Sequence, residues 1–162
     1  MNHKEKCECE TCNDVAAGMT YEEAMIKRKE WENNCLKEVG WFAHYVGDDK
    51  NYPTEFNAHT HGLVEKYNHQ DLQIVVPLPP AVCHGIFWNI IKRIEKGEKF
   101  KSGDVISDIA ENDYKTKFVN AWENDRPVLR VIIPDKDHNL DRGKFTSEFF
   151  DLQYADLDPD YE

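Results

Sequence analysis

The sequence predicts an α+β fold, with a mostly antiparallel sheet of about five to six strands and two main helices in a single domain. Two stretches have a helical pattern, and the short apolar runs between and after them are bounded by Gly, Pro and Asn residues. Strands that follow one another without intervening helices favour antiparallel pairing. A chain of 162 residues is long enough to bury a core in one domain.

The first helix is expected to begin at Thr20. The run from Thr20 to Glu23 has the pattern of a capping box. In this motif, the side chain of Thr20 accepts the backbone N–H of Glu23, and the side chain of Glu23 accepts the backbone N–H of Thr20. Apolar residues then recur at three- and four-residue steps, which predicts a buried stripe, and Gly40 ends the helix. The stripe consists of Tyr21, Ala24, Met25, Trp31, Cys35 and Val39.

Three strands are expected next, over residues 41–46, 56–63 and 72–78. The second of these alternates in polarity, and the third is apolar enough to be a central strand. A turn over residues 47–53 and a polar loop over residues 65–70 separate them.

Pro79 and Pro80 open the second helix, because proline is tolerated in the first helical turn. Cys83 is expected to pack in the core, and Gly97 ends the helix. Strands over residues 100–106, 114–122 and 128–133 follow, with prolines on either side of the last. The buried face of the helix is expected to comprise Val82, Ile86, Phe87, Ile90, Ile91 and Ile94.

The chain divides into a Cys-rich N-terminal arm (residues 1–19), an α+β domain (20–155) and an acidic tail (156–162). It has 20 Lys and Arg against 31 Asp and Glu, and the resulting net charge of −11 would repel nucleic acid. No apolar run suits a membrane span, and no signal peptide is expected. We therefore expect a cytoplasmic protein in which the five cysteines are thiols or metal ligands.

Several runs, taken in order, resemble the bacterial family called domain of unknown function 4262. After Gly40-Trp41, residues 56–63 are similar to a family run of Phe, Ala, Tyr, Thr, a small or branched residue, Gly and Leu. Residues 68–72 resemble Gly-His-Pro-Glu-Leu, and residues 128–135 resemble a strand that usually reads Val-Leu-Gln and ends in Pro-Asp. The resemblance covers residues 20–155 and supports the fold, but the family has no assigned activity. The remaining matches are Gly97, Phe100, Gly103 and Gln153.

This chain departs from the family pattern at several positions. His59 replaces an aromatic residue and His61 an aliphatic one, while Gln70 replaces a proline and Arg130 a glutamine. The resemblance therefore implies that a site shared by the family at these positions would be altered here.

The N-terminal arm holds three cysteines within six residues. Thiolates are soft ligands, and Zn²⁺ takes four Cys or His donors in tetrahedral geometry. The sequence thus predicts a zinc-tied arm, and the alternative is a solvated arm whose cysteines hold no metal. The predicted ligands are Cys7, Cys9, Cys12 and His3, with Cys35 or Cys83 as alternatives for the fourth position.

A second arrangement that could hold a metal is the pair His59 and His61. Residues i and i+2 of a strand project to the same face, so both imidazoles could bind one ion. Asp71, His69 or His84 could complete the set. The alternative is two exposed histidines on an edge strand that bind nothing.

A polar set at family-matching positions forms a candidate ligand site. Arg130 lies mid-strand, where a charge must face solvent or find a carboxylate. If it shares a cleft with Asp71 or Asp135, a small anionic ligand could bind there; otherwise the pair is a structural ion pair. The whole set is Thr60, His69, Asp71, Arg130, Asp135 and Gln153.

Three classes of function follow. The first is a small intracellular binding module with a zinc-tied arm, favoured because the sequence lacks nucleophile-elbow, phosphate-loop and dinucleotide motifs. The second is an acidic inhibitor, immunity protein or phage-type antagonist, which its charge would steer onto a basic partner protein. The third is an enzyme that acts on a small polar or anionic substrate through His69, Asp71 and Arg130.

Overall fold

A computed structural model of the chain describes residues 10–47, 56–155 and 157. Two compact units divide the chain, residues 1–42 and residues 43–162. The first unit contains α1 (Glu10–Ala16) and α2 (Tyr21–Glu38). Within the arm, which the sequence marked only as polar and Cys-rich, α1 is a helix that was not predicted.

Helix α2 begins as predicted but does not bury the predicted stripe. Thr20 Oγ1 accepts the Glu23 N–H at 3.2 Å, and Glu23 Oε2 accepts the Thr20 N–H at 2.8 Å, which confirms the capping box. Ala24 is buried, whereas Tyr21 is 68% exposed and Trp31 is 49% exposed. The stripe prediction is wrong because Lys, Arg and Glu interrupt every face of this helix, so that no face is continuously apolar.

One six-stranded sheet has the strand order β1-β2-β3-β6-β5-β4. Strands β2 and β3 pair antiparallel, as do β4 with β5 and β5 with β6, whereas β3 and β6 run parallel. The mostly antiparallel α+β class is thus confirmed. The strands are β1 (Phe42–Val46), β2 (Asn57–His61), β3 (Leu72–Ile74), β4 (Val105–Ile106), β5 (Thr116–Glu123) and β6 (Arg126–Ile132).

Strand boundaries differ from prediction where an apolar run is buried without pairing. β3 ends at Ile74 although Val75 and Val76 are buried, and β4 begins at Val105 although Phe100 is buried. Burial of a side chain needs no strand partner, so hydrophobicity alone overextends both strands. A short helix, α3 (Leu63–Tyr67), also begins in the segment predicted as strand and loop.

Helix α4 (Pro80–Glu95) follows the prediction closely. Cys83 and the predicted residues of its apolar face are buried, except Val82, which is 46% exposed. The last helical elements in the described part of the chain are α5 (Glu148–Asp151) and a 3-10 helix (Leu152–Tyr154). None of the helices in the described ranges combines the length and the hydrophobicity that crossing a bilayer requires.

The two faces of the sheet carry different structures. His59, Gln73, Arg130 and Val119 are in register across four neighbouring strands and therefore share one face. Val119 packs there with Ile132 of β6 and with Tyr154 of the C-terminal segment (residues 148–155), so we call this the C-terminal face. Thr116, an odd number of positions from Val119, points to the opposite face, where it and α4 line one cavity. We call that the α4 face.

Candidate functional site

Three histidines cluster at the end of the sheet formed by β1 and β2. One nitrogen each from His44, His59 and His61 lies within 4.8 Å of the others. The ring centroids are 5.4 Å apart for His44 and His59, 4.8 Å for His44 and His61, and 5.0 Å for His59 and His61. β2 places two imidazoles on one face by alternation, and its neighbour β1 supplies the third.

Hydrogen bonds fix the tautomer of His59. Its Nδ1 lies 3.2 Å from Asn57 Oδ1, which also accepts a hydrogen bond from Gln73 Nε2 at 3.2 Å. An amide oxygen only accepts, so Nδ1 of His59 carries the proton and Nε2 presents its lone pair. Arg130 Nε donates in turn to Gln73 Oε1 at 2.8 Å, so a chain of side chains on the C-terminal face supports His59.

His59 is held in the neutral form. Burial, together with nearby His61, His44 and Arg126, lowers its pKa to about 3. Metal ions bind neutral imidazole, and a histidine with this pKa needs no deprotonation near neutral pH.

A carboxylate lies beside His59. Glu123 Oε1 is 3.7 Å from His59 Nε2, and only 8% of Glu123 is exposed. Asn124 Nδ2 donates to the same oxygen at 2.9 Å, and Arg126 Nε donates to the other at 3.3 Å. The lone pair of His59 and an anionic oxygen therefore face the same small space.

Two members of the predicted polar set, Thr60 and Asp71, are brought together. Thr60 Oγ1 donates to Asp71 Oδ1 at 2.9 Å and accepts the Leu72 N–H at the same distance. Arg126 Nη1 pairs with Asp71 Oδ2 at 2.8 Å. Burial raises the pKa of Asp71, and the hydrogen bonds from Leu63 and Thr60 and the charge of Arg126 offset part of that rise. Arg126, the ion-pair partner of Asp71, was not predicted from the sequence.

Arg130 and Gln153 are also brought together, at the C-terminal segment. Arg130 is 4% exposed, and its Nη1 donates to the carbonyls of Gln153 and Ala155 at 2.7 Å each. The Gln153 side chain accepts the Ile133 N–H and donates to the Ile133 carbonyl. These bonds tie the end of the described chain to β6.

His69 and Asp135 each stabilise a separate loop. His69 Nδ1 donates to the Gln70 carbonyl at 2.7 Å, and its Nε2 accepts the Phe100 N–H at 3.1 Å. Burial opposes ionisation of Asp135, but donors from Thr146 and Asn139 outweigh it and hold the pKa of this carboxyl well below its usual range. All six residues of the polar set are at most 5% exposed, and hydrogen bonds within the protein occupy each of them.

The predicted zinc arm is only partly within the described residues. Cys12 lies half-buried in α1, whereas Cys7, Cys9 and His3 lie outside the described residues. Cys83 is buried and donates to the Leu78 carbonyl.

For the pair on β2, the structure places His44 beside it rather than Asp71, His69 or His84. His44 lies in a strand that the sequence predicts, but only the pairing of β1 with β2 brings it close, and that pairing has no local signal.

Comparison with known proteins identifies a family but no characterised relative. No curated protein and no solved structure matches the chain. Residues 35–140 match a family described as a domain of unknown function (DUF4262). The match spans more than half of the chain and contains all three clustered histidines. The chain therefore belongs to the DUF4262 family.

Proposed function

We propose that this protein binds a divalent transition-metal ion, preferably Zn²⁺, through His44, His59 and His61. The observation that carries the proposal is the convergence of three imidazole nitrogens within 4.8 Å. Tetrahedral ligands bonded to Zn²⁺ at about 2.0–2.1 Å stand roughly 3.4 Å apart. Side-chain rotations that bring the three nitrogens to that spacing would close the site around an ion.

The surroundings of His59 support this proposal. Metal-ligating histidines usually donate their other ring N–H to an oxygen, as His59 does to Asn57. A cation near Nε2 would also relieve the close approach of that lone pair to the Glu123 carboxylate, 3.7 Å away. Imidazole ligands suit zinc, copper, iron and nickel, and a set of three leaves a position open for water or a small anionic ligand.

The site would be a property of this chain rather than of the whole family. The family pattern described above has an aromatic residue and an aliphatic residue at the positions of His59 and His61. An imidazole at both positions is required for three nitrogen ligands. Metal binding is thus proposed as an addition to the shared fold.

The test must separate this site from the cysteines of the N-terminal arm, which remain a predicted zinc site. We would titrate Zn²⁺ by calorimetry into a Cys7→Ser, Cys9→Ser, Cys12→Ser variant and into the same variant carrying His61→Gln. A Co²⁺ spectrum distinguishes nitrogen from sulfur ligands by its sulfur-to-cobalt charge-transfer band.

The triple-serine variant is expected to bind one Zn²⁺, and adding His61→Gln should weaken binding at least about 100-fold, since a direct ligand contributes more than its supporting partner. His84→Gln in the same background is the matched control and should leave the affinity unchanged, because His84 stacks on Trp88 of α4. Absence of binding in the triple-serine variant, or binding that His61→Gln does not weaken, would overturn the proposal.

A further inference from the structure

A cavity of about 730 Å³ lies on the α4 face of the sheet. The first half of α4, the loop over residues 108–112, the start of β5 and residues 133–136 surround it. Its volume lies within the range of small-molecule sites, which are mainly apolar with a few polar groups. The apolar wall comprises Leu78, Val82, Ile86, Ile109 and Ile133.

Gly85 leaves space in this cavity. It lies in the middle of α4, where glycine is the least favourable residue after proline. A Cβ at this position would meet no atom within 4 Å, and the backbone has no positive φ. Neither close packing nor backbone geometry therefore requires glycine here, and the missing side chain enlarges the cavity instead.

Thr116 lines the same cavity and has a hydroxyl that is unpaired among the described residues. The residue is fully buried and lines the cavity, and its Oγ1 has no hydrogen-bond partner within residues 10–47 and 56–155. Buried polar groups are nearly always satisfied, so an exception calls for an explanation. A bound molecule with a hydrogen-bonding group would satisfy this hydroxyl if the Thr116 side chain turned toward the cavity.

The loop on the far side of the cavity is held in a specific conformation. Asp108 and Asn112 have φ values of 64° and 62°, in the left-handed region that few residues other than glycine adopt. Asn89 Nδ2 of α4 donates to the Ile109 carbonyl at 2.8 Å and ties the loop to the helix. This hydrogen bond thus holds the wall of the cavity against the helix.

The charged residues at the rim of the cavity restrict the charge of the ligand that it can bind. Asp108 and Glu111 line the cavity against one lysine, Lys136, and the carboxylate of Asp135 is occupied by hydrogen bonds to its own loop. With a net charge of −11 on the whole chain, the cavity disfavours anions.

We propose that the cavity between α4 and the 108–112 loop binds a small, mainly apolar molecule that carries one hydrogen-bonding group and no negative charge. This site is separate from the histidine cluster, and neither proposal depends on the other.

The test is a fluorescence titration with Nile red, a neutral apolar dye that has a hydrogen-bond acceptor. The wild type should bind one dye molecule saturably. Gly85→Phe should weaken binding at least tenfold by filling the cavity, and Gly85→Leu provides the same test if the larger side chain impairs folding. Thr116→Val should weaken binding about two- to tenfold, the range for one hydrogen bond.

Trp31→Ala is the control for dye on the exposed apolar residues of α2, and it should leave the affinity unchanged. Non-saturable binding, binding that neither Gly85 variant weakens, or binding that Trp31→Ala removes would overturn the proposal.

Discussion

At the scale of single residues, some buried polar side chains have a hydrogen-bond partner for every polar atom, and others have a polar atom without one. His69 uses both ring nitrogens, one as donor to Gln70 and one as acceptor from Phe100. Thr116 instead has a buried hydroxyl with no bond in the described part of the chain. A satisfied group contributes to stability, whereas an unsatisfied one opposes it, so the two residues should respond oppositely to substitution.

Thr116→Val should therefore keep or raise the free energy of unfolding, by up to about 1 kcal/mol, because it removes an unpaired hydroxyl at nearly constant volume. His69→Ala should lower it by about 2–4 kcal/mol, because it leaves the Phe100 N–H without its acceptor and creates a cavity. Urea unfolding followed by circular dichroism measures both. A Thr116→Val variant less stable than wild type by more than about 1 kcal/mol would show that the hydroxyl is bonded.

Acid should destabilise the metal-free protein through His59. Its pKa is about 3 in the folded protein against 6.5 ordinarily, so the unfolded chain binds more protons between those values. The contribution of His59 to the free energy of unfolding is therefore fully present above pH 6.5. It is lost as the pH falls toward 3, by at most about 1.4 kcal/mol for each pH unit. In EDTA, the free energy of unfolding of His59→Gln should show a shallower pH dependence than that of the wild type. Equal slopes in wild type and His59→Gln would contradict this.

At the scale of elements, Arg130 joins β6 to the C-terminal segment. Its guanidinium donates to Gln73, Gln153 and Ala155 in three directions that a lysine ammonium cannot reproduce. The Gln153 side chain completes the junction by bonding both backbone groups of Ile133. The packing of Tyr154 on the sheet thus depends on a polar anchor as well as on apolar contact.

Arg130→Lys should lower the free energy of unfolding by about 2–4 kcal/mol, because it loses several charged hydrogen bonds while keeping a buried charge. Arg142→Lys, at an exposed position, is the matched control and should have little effect. Limited proteolysis should also cleave the C-terminal segment faster in Arg130→Lys. If its unfolding curve overlies that of Arg142→Lys, the anchoring role is wrong.

Elements whose signals are local could be predicted from the sequence, and those set by tertiary contacts could not. The capping box at Thr20 and the buried face of α4 depend on neighbouring residues, and both are confirmed. The third histidine of the cluster, His44, and the Arg126 partner of Asp71 come from other strands. Sequence spacing also predicted a buried stripe on α2, but most of its residues are exposed, because charged residues interrupt every face of the helix.

At the scale of the whole molecule, the net charge of −11 opposes compaction through self-repulsion. Surface ion pairs such as Lys27 with Asp14 and Arg93 with Glu98 offset this little, because exposed pairs contribute only about 0–1 kcal/mol. Salt screens both effects, and with a net charge of −11 we expect the repulsion to be the larger of the two.

The melting temperature of the metal-free protein should therefore rise as sodium chloride increases from low to physiological concentration and above. Differential scanning calorimetry measures this, and the same scan in sodium sulfate at equal ionic strength separates screening from specific ion effects. A melting temperature that falls with sodium chloride would mean that attractive pairs dominate the charge balance.

The parallel alignment of β3 with β6 governs the order in which the chain folds. Gln73 and Arg130, partners in that alignment, are 57 positions apart, whereas β5 and β6 are joined by the two residues between Glu123 and Arg126. Closing the longer loop loses more chain entropy before any contact compensates for it. We therefore expect the β5–β6 hairpin to form early and β2–β3 to dock onto it late. His59 gains Glu123 and Arg126 as neighbours only in that docking step, whereas the three imidazoles of the proposed metal site all lie on β1 and β2 and can meet before it.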